Sequence, residues 1–187
     1  MQVRKTPVLG LIEIIPSVYR DDRGYFLETY HRGRFEEAGI TQSFVQVNRS
    51  YSKKGVVRGL HFQKAPHQQG KLVSVSTGKV LDVALDLRQG SPTFGQYERV
   101  LLDSDRQNLL YVPEGFAHGF VALEDTVFTY QCTNLYHQPS DAGIRWNDPD
   151  LAIDWELERY GIDTPIVSEK DQNLPTFADY QQHASSR

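Results

Sequence analysis

The clearest regularity in the chain lies at 72–87. Val73 and Val75 alternate with Ser74 and Ser76, a Thr77-Gly78 pair interrupts, and Leu81, Val83, Leu85 and Leu87 then alternate with Asp82, Ala84 and Asp86. A period of two sends successive side chains to opposite faces of a strand, so two such runs across a glycine-bearing pair predict a hairpin with one buried face. Residues 97–102 and 108–112 read as two further strands separated by the polar turn Asp103-Ser104-Asp105-Arg106, and 120–123 with 126–133 as another hairpin across Glu124-Asp125. Upstream, 10–15 and 25–30 are strand candidates flanking the turn Arg20-Asp21-Asp22-Arg23-Gly24. Helical patterning is confined to 32–38, which Gly39 would end as a cap, and to a turn near the end. Many short strands spaced by turn signals predict an all-β sandwich or barrel with a few short helices.

Composition narrows the class. With 187 residues the expectation is one domain over 1–187, its polar end at 181–187 frayed. A chain of this length buries roughly 70% of its unfolded surface and needs no disulfide or metal staple. Hydrophobic residues at 39% and charged residues at 24% describe a globular chain, and a formal net charge of −4 argues against nucleic acid as partner. Cys132 is the lone cysteine, which excludes internal disulfides and cysteine-cluster zinc sites and fits a reducing compartment. No run has the length of a membrane-spanning helix and the N-terminus lacks the apolar stretch of a signal peptide, so the expectation is a cytoplasmic protein with no membrane partner.

Four polar clusters break the strand pattern: 55–63 with Arg58 and His61, 70–73 with Lys71, 113–120 with His118, and 168–171 ending in Asp171. Glycine, five residues, then histidine, followed later by Pro-x-Gly-x-x-His, has the form of two cupin motifs. Metal-binding cupins place a second histidine two residues after the first and a glutamate soon after. Here Gln63 takes the histidine position and 64–70 holds no glutamate, which leaves His61 and His118 short of a three-ligand set. The expectation is a jelly roll without a metal. Taken singly, each residue has an ordinary structural reading: His61 a satisfied strand histidine, Lys71 a solvated strand end, Asp171 a helix cap, Tyr130 a core aromatic. Together, cationic side chains on strands of an acidic chain cannot be buried unpaired, and a cavity that receives an anionic ligand resolves the conflict.

Eight landmarks in order then make a resemblance specific. They are Asp22-Arg23-Gly24-Tyr25-Phe26, Phe44-Val45-Gln46-Val47-Asn48, Arg58-Gly59-Leu60-His61-Phe62-Gln63 and Gln69-Gly70-Lys71-Leu72-Val73, followed by Asp86-Leu87-Arg88 with Gly90-Ser91-Pro92-Thr93-Phe94-Gly95, Pro113 through Phe120, Trp146-Asn147-Asp148-Pro149, and Ser168-Glu169-Lys170-Asp171. The chain resembles the dTDP-4-dehydrorhamnose 3,5-epimerases, cupin-fold enzymes of deoxysugar biosynthesis. The resemblance implies a jelly-roll homodimer acting on a dTDP-4-keto-6-deoxyhexose, with no metal, redox cofactor or covalent intermediate.

By position it implies His61 as the base, Asp171 as the carboxylate that orients it, and Lys71 beside the ketone oxygen. Tyr130 falls at the acid position, with Tyr136 as the alternative. Arg23, Glu28, Gln46, Asn48, Arg58 and Lys170 would line the sugar-nucleotide pocket, with Arg58 suited to phosphate. His118 would be a second histidine on the substrate, Asp141 an acidic neighbour of the ligand, and Tyr136 an aromatic stacked on thymine. Val47 stands where aspartate is common and Val57 where leucine is common. Relatives that invert one carbon, and a non-catalytic binder on the same fold, are the other readings.

Overall fold

The computed structural model describes residues 1–185, with side chains through 182. In chain order the strands are β1 (Gln2–Lys5), β2 (Ile12–Ile15), β3 (Val18–Asp21), β4 (Gly24–Leu27), β5 (Gln46–Ser52), β6 (Val56–Gln63), β7 (Lys71–Thr77), β8 (Lys79–Asp86), β9 (Tyr97–Asp103), β10 (Leu109–Val112), β11 (Phe116–Ala122), β12 (Thr126–Cys132), β13 (Asp141–Gly143) and β14 (Ile166–Val167). Among the described residues three short α-helices join them: α1 (Arg32–Glu37), α2 (Glu169–Gln172) and α3 (Phe177–Ser185). One sheet runs β1-β2-β10-β7-β12-β5 and a second β13-β6-β11-β8-β9, with β14 added to β6. All pairs are antiparallel except β14 on β6.

The expected strands are present, but two of the hairpins are not hairpins. β7 belongs to the first sheet and β8 to the second, so the chain turns a corner at Gly78 instead of folding back on itself. The same crossing separates β11 from β12, and β9 from β10. The reason is burial. β8 and β11 are buried at nearly every position, because the second sheet is covered on both sides. Its inner face packs Val80, Ala84, Phe116 and Phe120 against Val73, Val75, Leu110 and Phe128 of the first sheet. Its outer face packs Val83, Leu85, Ala117 and Val121 under Ile144, Trp155, Ile162 and Phe177 of the C-terminal segment. A hairpin would have kept neighbouring strands edge to edge, whereas these corners place them face to face, as a sandwich requires. At Gly78, φ is +78° and a Cβ would lie 2.4 Å from the Asp125 carbonyl oxygen, so only glycine makes this corner.

β3 and β4 do form a hairpin, and α1 ends at Ala38 with Gly39 at φ +91° beyond it, as the sequence predicts. α3 runs to Ser185; of the terminal stretch expected to fray, Ser186 and Arg187 lie outside the described residues. Among the described residues no helix is long and apolar enough to cross a membrane.

The Asp86 and Gly90-to-Gly95 landmarks turn out to be a structural clamp. The fully buried Asp86 carboxylate accepts from Arg88 Nε at 2.9 Å and Nη2 at 2.7 Å, and from the Ser91 and Thr93 hydroxyls at 2.6 Å each. Arg88 lies over the Phe116 ring and reaches the Leu9 carbonyl, tying the N-terminal segment to β11. Burial alone would raise the Asp86 pKa, but the bonds from Arg88, Ser91 and Thr93 outweigh it and hold it at about 2. A carboxylate depressed on folding stabilises above its ordinary pKa near 3.8, and that stabilisation is lost as pH falls towards 2. Asp86→Ala is therefore expected to lower unfolding free energy by about 3 kcal/mol at pH 7, and the gap from wild type is expected to narrow between pH 4 and pH 2 in denaturant titrations.

Candidate active site

The site is built where β6 departs from regular pairing. His118 of β11 faces His61, whereas Phe120 faces Arg58, so three residues of β6 span two of β11. This is a bulge, and its consequence is directional. In a regular strand Arg58 and His61, three apart, would point to opposite faces; here both align with inward-facing residues of β11. The bulge is possible because Gly59 sits at φ +118° with Gly119 against it; a Cβ at Gly59 would stand 2.6 Å from the Gly119 Cα.

The same distortion leaves the Gly59 N–H free of β11, and Asp171 takes it. β14 runs parallel to β6 at Val56 and Val57, which delivers α2 alongside the bulge. Ser168 caps α2 by accepting the Asp171 N–H at 3.1 Å. Asp171 then accepts from Gly59 N–H through Oδ2 at 3.1 Å and meets His61 Nε2 with Oδ1 at 2.7 Å. Desolvation of this buried carboxylate pushes its pKa up, but its bonds to His61, Gly59 and Ser168 prevail and hold it below the ordinary value. An ionised acceptor at that distance fixes the proton on Nε2 and leaves Nδ1 as the basic nitrogen.

Beside His61 opens a cavity of about 330 Å³ lined by Gln46, Asn48, His61, Phe62, Gln63, Gln69, Lys71, Tyr130, Tyr136, Asp141 and Lys170. It lies where the inter-sheet core ends: Phe120 stacks on Phe128 at 4.4 Å, and Phe128 meets Tyr130 at 6.1 Å, so an aromatic row leads from the core to the site. Tyr130 and Lys71 come from the adjacent strands β12 and β7 of the first sheet, with Lys71 Nζ 5.9 Å from the Tyr130 ring centre. His61 comes from the second sheet, so the groups approach the cavity from opposite walls. Desolvation pushes the Lys71 pKa below the ordinary lysine value, opposed by Cys132, Asp82 and Asp141. Desolvation raises the Tyr130 pKa, with Arg58 acting against it. Burial likewise raises the Cys132 thiol.

At the rim, Lys170 pairs with Asp141 at 2.5 Å. Gln46 donates to Asn48 Oδ1 at 3.1 Å. Tyr136 is exposed. These nine residues named from sequence (Gln46, Asn48, His61, Lys71, Tyr130, Tyr136, Asp141, Lys170 and, through His61, Asp171) therefore converge.

Four others do not line the cavity. Arg58 faces the Tyr130 side but spends its guanidinium on Ser52 Oγ and the Tyr51 carbonyl. His118 is buried behind the site, its Nε2 2.9 Å from Asp82 and its ring stacked towards Phe128. Arg23 and Glu28 lie on and after the exposed β3–β4 hairpin, paired with Asp21 and Arg34. As for a metal, His61 and His118 turn their Nε2 atoms to different carboxylates, and no group of three or more potential ligands occurs among the described residues.

Phe62, Gln63 and Gln69 line the cavity although the sequence assigns them no site role, and Asp82 behind it likewise. Gln63 carried a signal, since it occupies the cupin metal-histidine position; the others sit in strand or loop contexts that look ordinary.

Residues 5–179 match the family model described as dTDP-4-dehydrorhamnose 3,5-epimerase. The dTDP-4-dehydrorhamnose 3,5-epimerase of Methanothermobacter thermautotrophicus is 51% identical over 170 residues, covering 90% of both chains. That of Escherichia coli is 46% identical over 179 residues, covering 95% of both. Among solved structures, the dTDP-6-deoxy-D-glucose-3,5-epimerase of Legionella pneumophila in complex with dTDP-4-keto-L-rhamnose superposes with a TM-score of 0.88 at 45% identity, covering 94% of this chain and 92% of that one. The cupin-type sandwich, the near full-length match and the identity together show that this chain belongs to the dTDP-4-dehydrorhamnose 3,5-epimerase family.

Proposed function

We propose that the chain inverts C3 and C5 of dTDP-4-dehydro-6-deoxy-D-glucose, giving dTDP-4-dehydro-L-rhamnose. The observation that carries this reading is the 2.7 Å His61–Asp171 pair opening on the cavity that Lys71 and Tyr130 enter from the other sheet. The 4-keto group acidifies the hydrogens on C3 and C5. His61 removes one through Nδ1 while Asp171, ionised beside it, stabilises the imidazolium that forms. Lys71 supplies positive charge at the ketone oxygen as the enolate develops; in a desolvated site that charge acts at high strength. Tyr130, whose raised pKa keeps it protonated at neutral pH, returns a proton to the opposite ring face and inverts the centre. We favour Tyr130 over Tyr136 as the acid because Tyr130 is half-buried beside Lys71, whereas Tyr136 is 53% exposed at the rim and suits stacking on the base. The chemistry is proton transfer throughout, so no metal or redox cofactor is required.

Arg58, Gln46, Asn48, Lys170, Asp141 and His118 belong to the same reading, the first four as sugar-nucleotide contacts. Arg58 reaches a diphosphate by giving up its bonds to Ser52 and Tyr51. His118 and Asp82 act from behind, where Asp82 also bears on Lys71.

Arg23 and Glu28 complete the site from a second copy. Their hairpin exposes Tyr19, Tyr25 and Phe26, and the outer edge strand β5 exposes Val47 and Tyr51 beside Val45, an apolar surface that a homodimer would bury. A formal charge of −4 and a single buried thiol suit an enzyme of the cytoplasm with no nucleic-acid partner.

In D2O with chelator present, proton NMR of the substrate is expected to show deuterium entering both C3 and C5 with wild type and neither with His61→Ala. Exchange at one carbon would indicate a mono-epimerase, and none at either a binding protein. Tyr130→Phe is expected to cut kcat more than a hundredfold while Tyr136→Phe changes it little; the reverse would exchange their roles. Mixing His61→Ala with Arg23→Ala subunits is expected to restore activity above either parent, since one cavity of the mixed dimer then has both residues. No restoration would show that Arg23 does not act across the dimer.

A further inference from the structure

The segment 133–137 between β12 and β13 carries Tyr136 across the cavity mouth without pairing in either sheet. Several of its backbone groups are nevertheless engaged, most of them by side chains. Thr133 N–H donates to the Gly70 carbonyl at 2.9 Å, and Leu135 N–H to the Asn134 side chain at 2.9 Å. Gln69 Nε2 donates to the Asn134 carbonyl at 2.8 Å. Tyr136 N–H donates to Gln46 Oε1 and His137 N–H to Gln63 Oε1, each at 2.8 Å. Gln46 belongs to β5 of the first sheet and Gln63 to β6 of the second. Two consecutive N–H groups flanking the Tyr136 side chain are thus held by glutamines from opposite sheets. His67 stacks on His137 with centroids 3.8 Å apart and planes at 16°.

Gln63 shows what its amide is there for. Gln63 is 6% exposed, and among the described residues its Nε2 has no hydrogen-bond partner. A buried donor left unpaired is destabilising. An amide turned the other way would set its NH2 against the His137 N–H, so the carbonyl is committed to that backbone and the cost falls on the other end. An apolar side chain of this size would pack there without that cost but could not hold the strap.

We propose that Gln63 and Gln69 are positioning residues that preset the Tyr136 ring for the nucleoside base, and thereby set nucleotide affinity without taking part in proton transfer. The inference rests on the reading of Tyr136 as the base-stacking residue. Holding a recognition ring in its bound orientation beforehand removes an ordering cost from binding.

The test is calorimetric binding of thymidine diphosphate to the full-length protein, together with steady-state kinetics. Gln63→Met and Gln69→Met are each expected to raise Kd for thymidine diphosphate and KM by about tenfold, the loss of one net hydrogen bond, with kcat within twofold. In a Tyr136→Ala background the same substitutions are expected to change Kd less than twofold, because the ring they position is gone. A kcat loss with unchanged Kd, or an equal Kd increase with and without Tyr136, would overturn the proposal. Gln69 is half-buried, so Gln69→Met answers the question if Gln63→Met does not fold. Wild type that fails to bind thymidine diphosphate would instead overturn the functional reading from which the proposal starts.

Discussion

One hydrogen bond organises the site: the Asp171 carboxylate held 2.7 Å from His61 Nε2. It requires the β6 bulge, which sends His61 inward with Arg58 and frees the Gly59 N–H for Asp171. It also requires β14, which brings α2 to the bulge from more than a hundred residues later in the chain. The carboxylate therefore does two things at once: it satisfies a backbone donor left over by irregular pairing, and it sets the tautomer of the imidazole. A distortion that would be a defect in a plain sheet here gives a side chain its direction.

The sandwich serves this arrangement by keeping the two walls of the cavity independent. The base is carried by the second sheet, braced from outside by the C-terminal segment. Lys71 and Tyr130 are carried by the first sheet on neighbouring strands. Opposite walls suit a reaction that takes a proton from one face of a ring and returns one to the other. The Asp86–Arg88 clamp ties the N-terminal segment to the second sheet, and the stacked Phe120–Phe128 pair joins the two walls inside the core.

Much of this was legible in the chain. Period-two alternation located β7 and β8 and turn signals β9 to β12, whereas β1, β3, β5, β13 and β14 went unread; the landmark motifs named most of the groups that converge on the cavity. What alternation could not supply was strand partnership. A turn such as Thr77-Gly78 has the same local chemistry whether the strands pair or separate into two sheets, and only the burial of β8 on both faces decides between them. The bulge was hidden for a similar reason: Arg58 and His61 at a spacing of three read as opposite faces until the glycine pair Gly59–Gly119 shortens the approach. Gln63 and Gln69 stand in landmark motifs but received no role, because their work is done on backbone groups, whose positions depend on the finished fold. The Gly-Ser-Pro-Thr-Phe-Gly landmark lies outside the cavity and serves the clamp.

The claim that His61 and Asp171 act as one unit is tested most directly by the turnover of His61→Ala, Asp171→Asn and the double variant on the dTDP-sugar substrate. Groups that work through each other give losses that do not add. The account predicts that the double variant is no slower than His61→Ala alone, within a factor of about three. A double variant slower by the product of the two single losses would contradict it, and would mean that Asp171 acts on the reaction by a route that does not pass through His61.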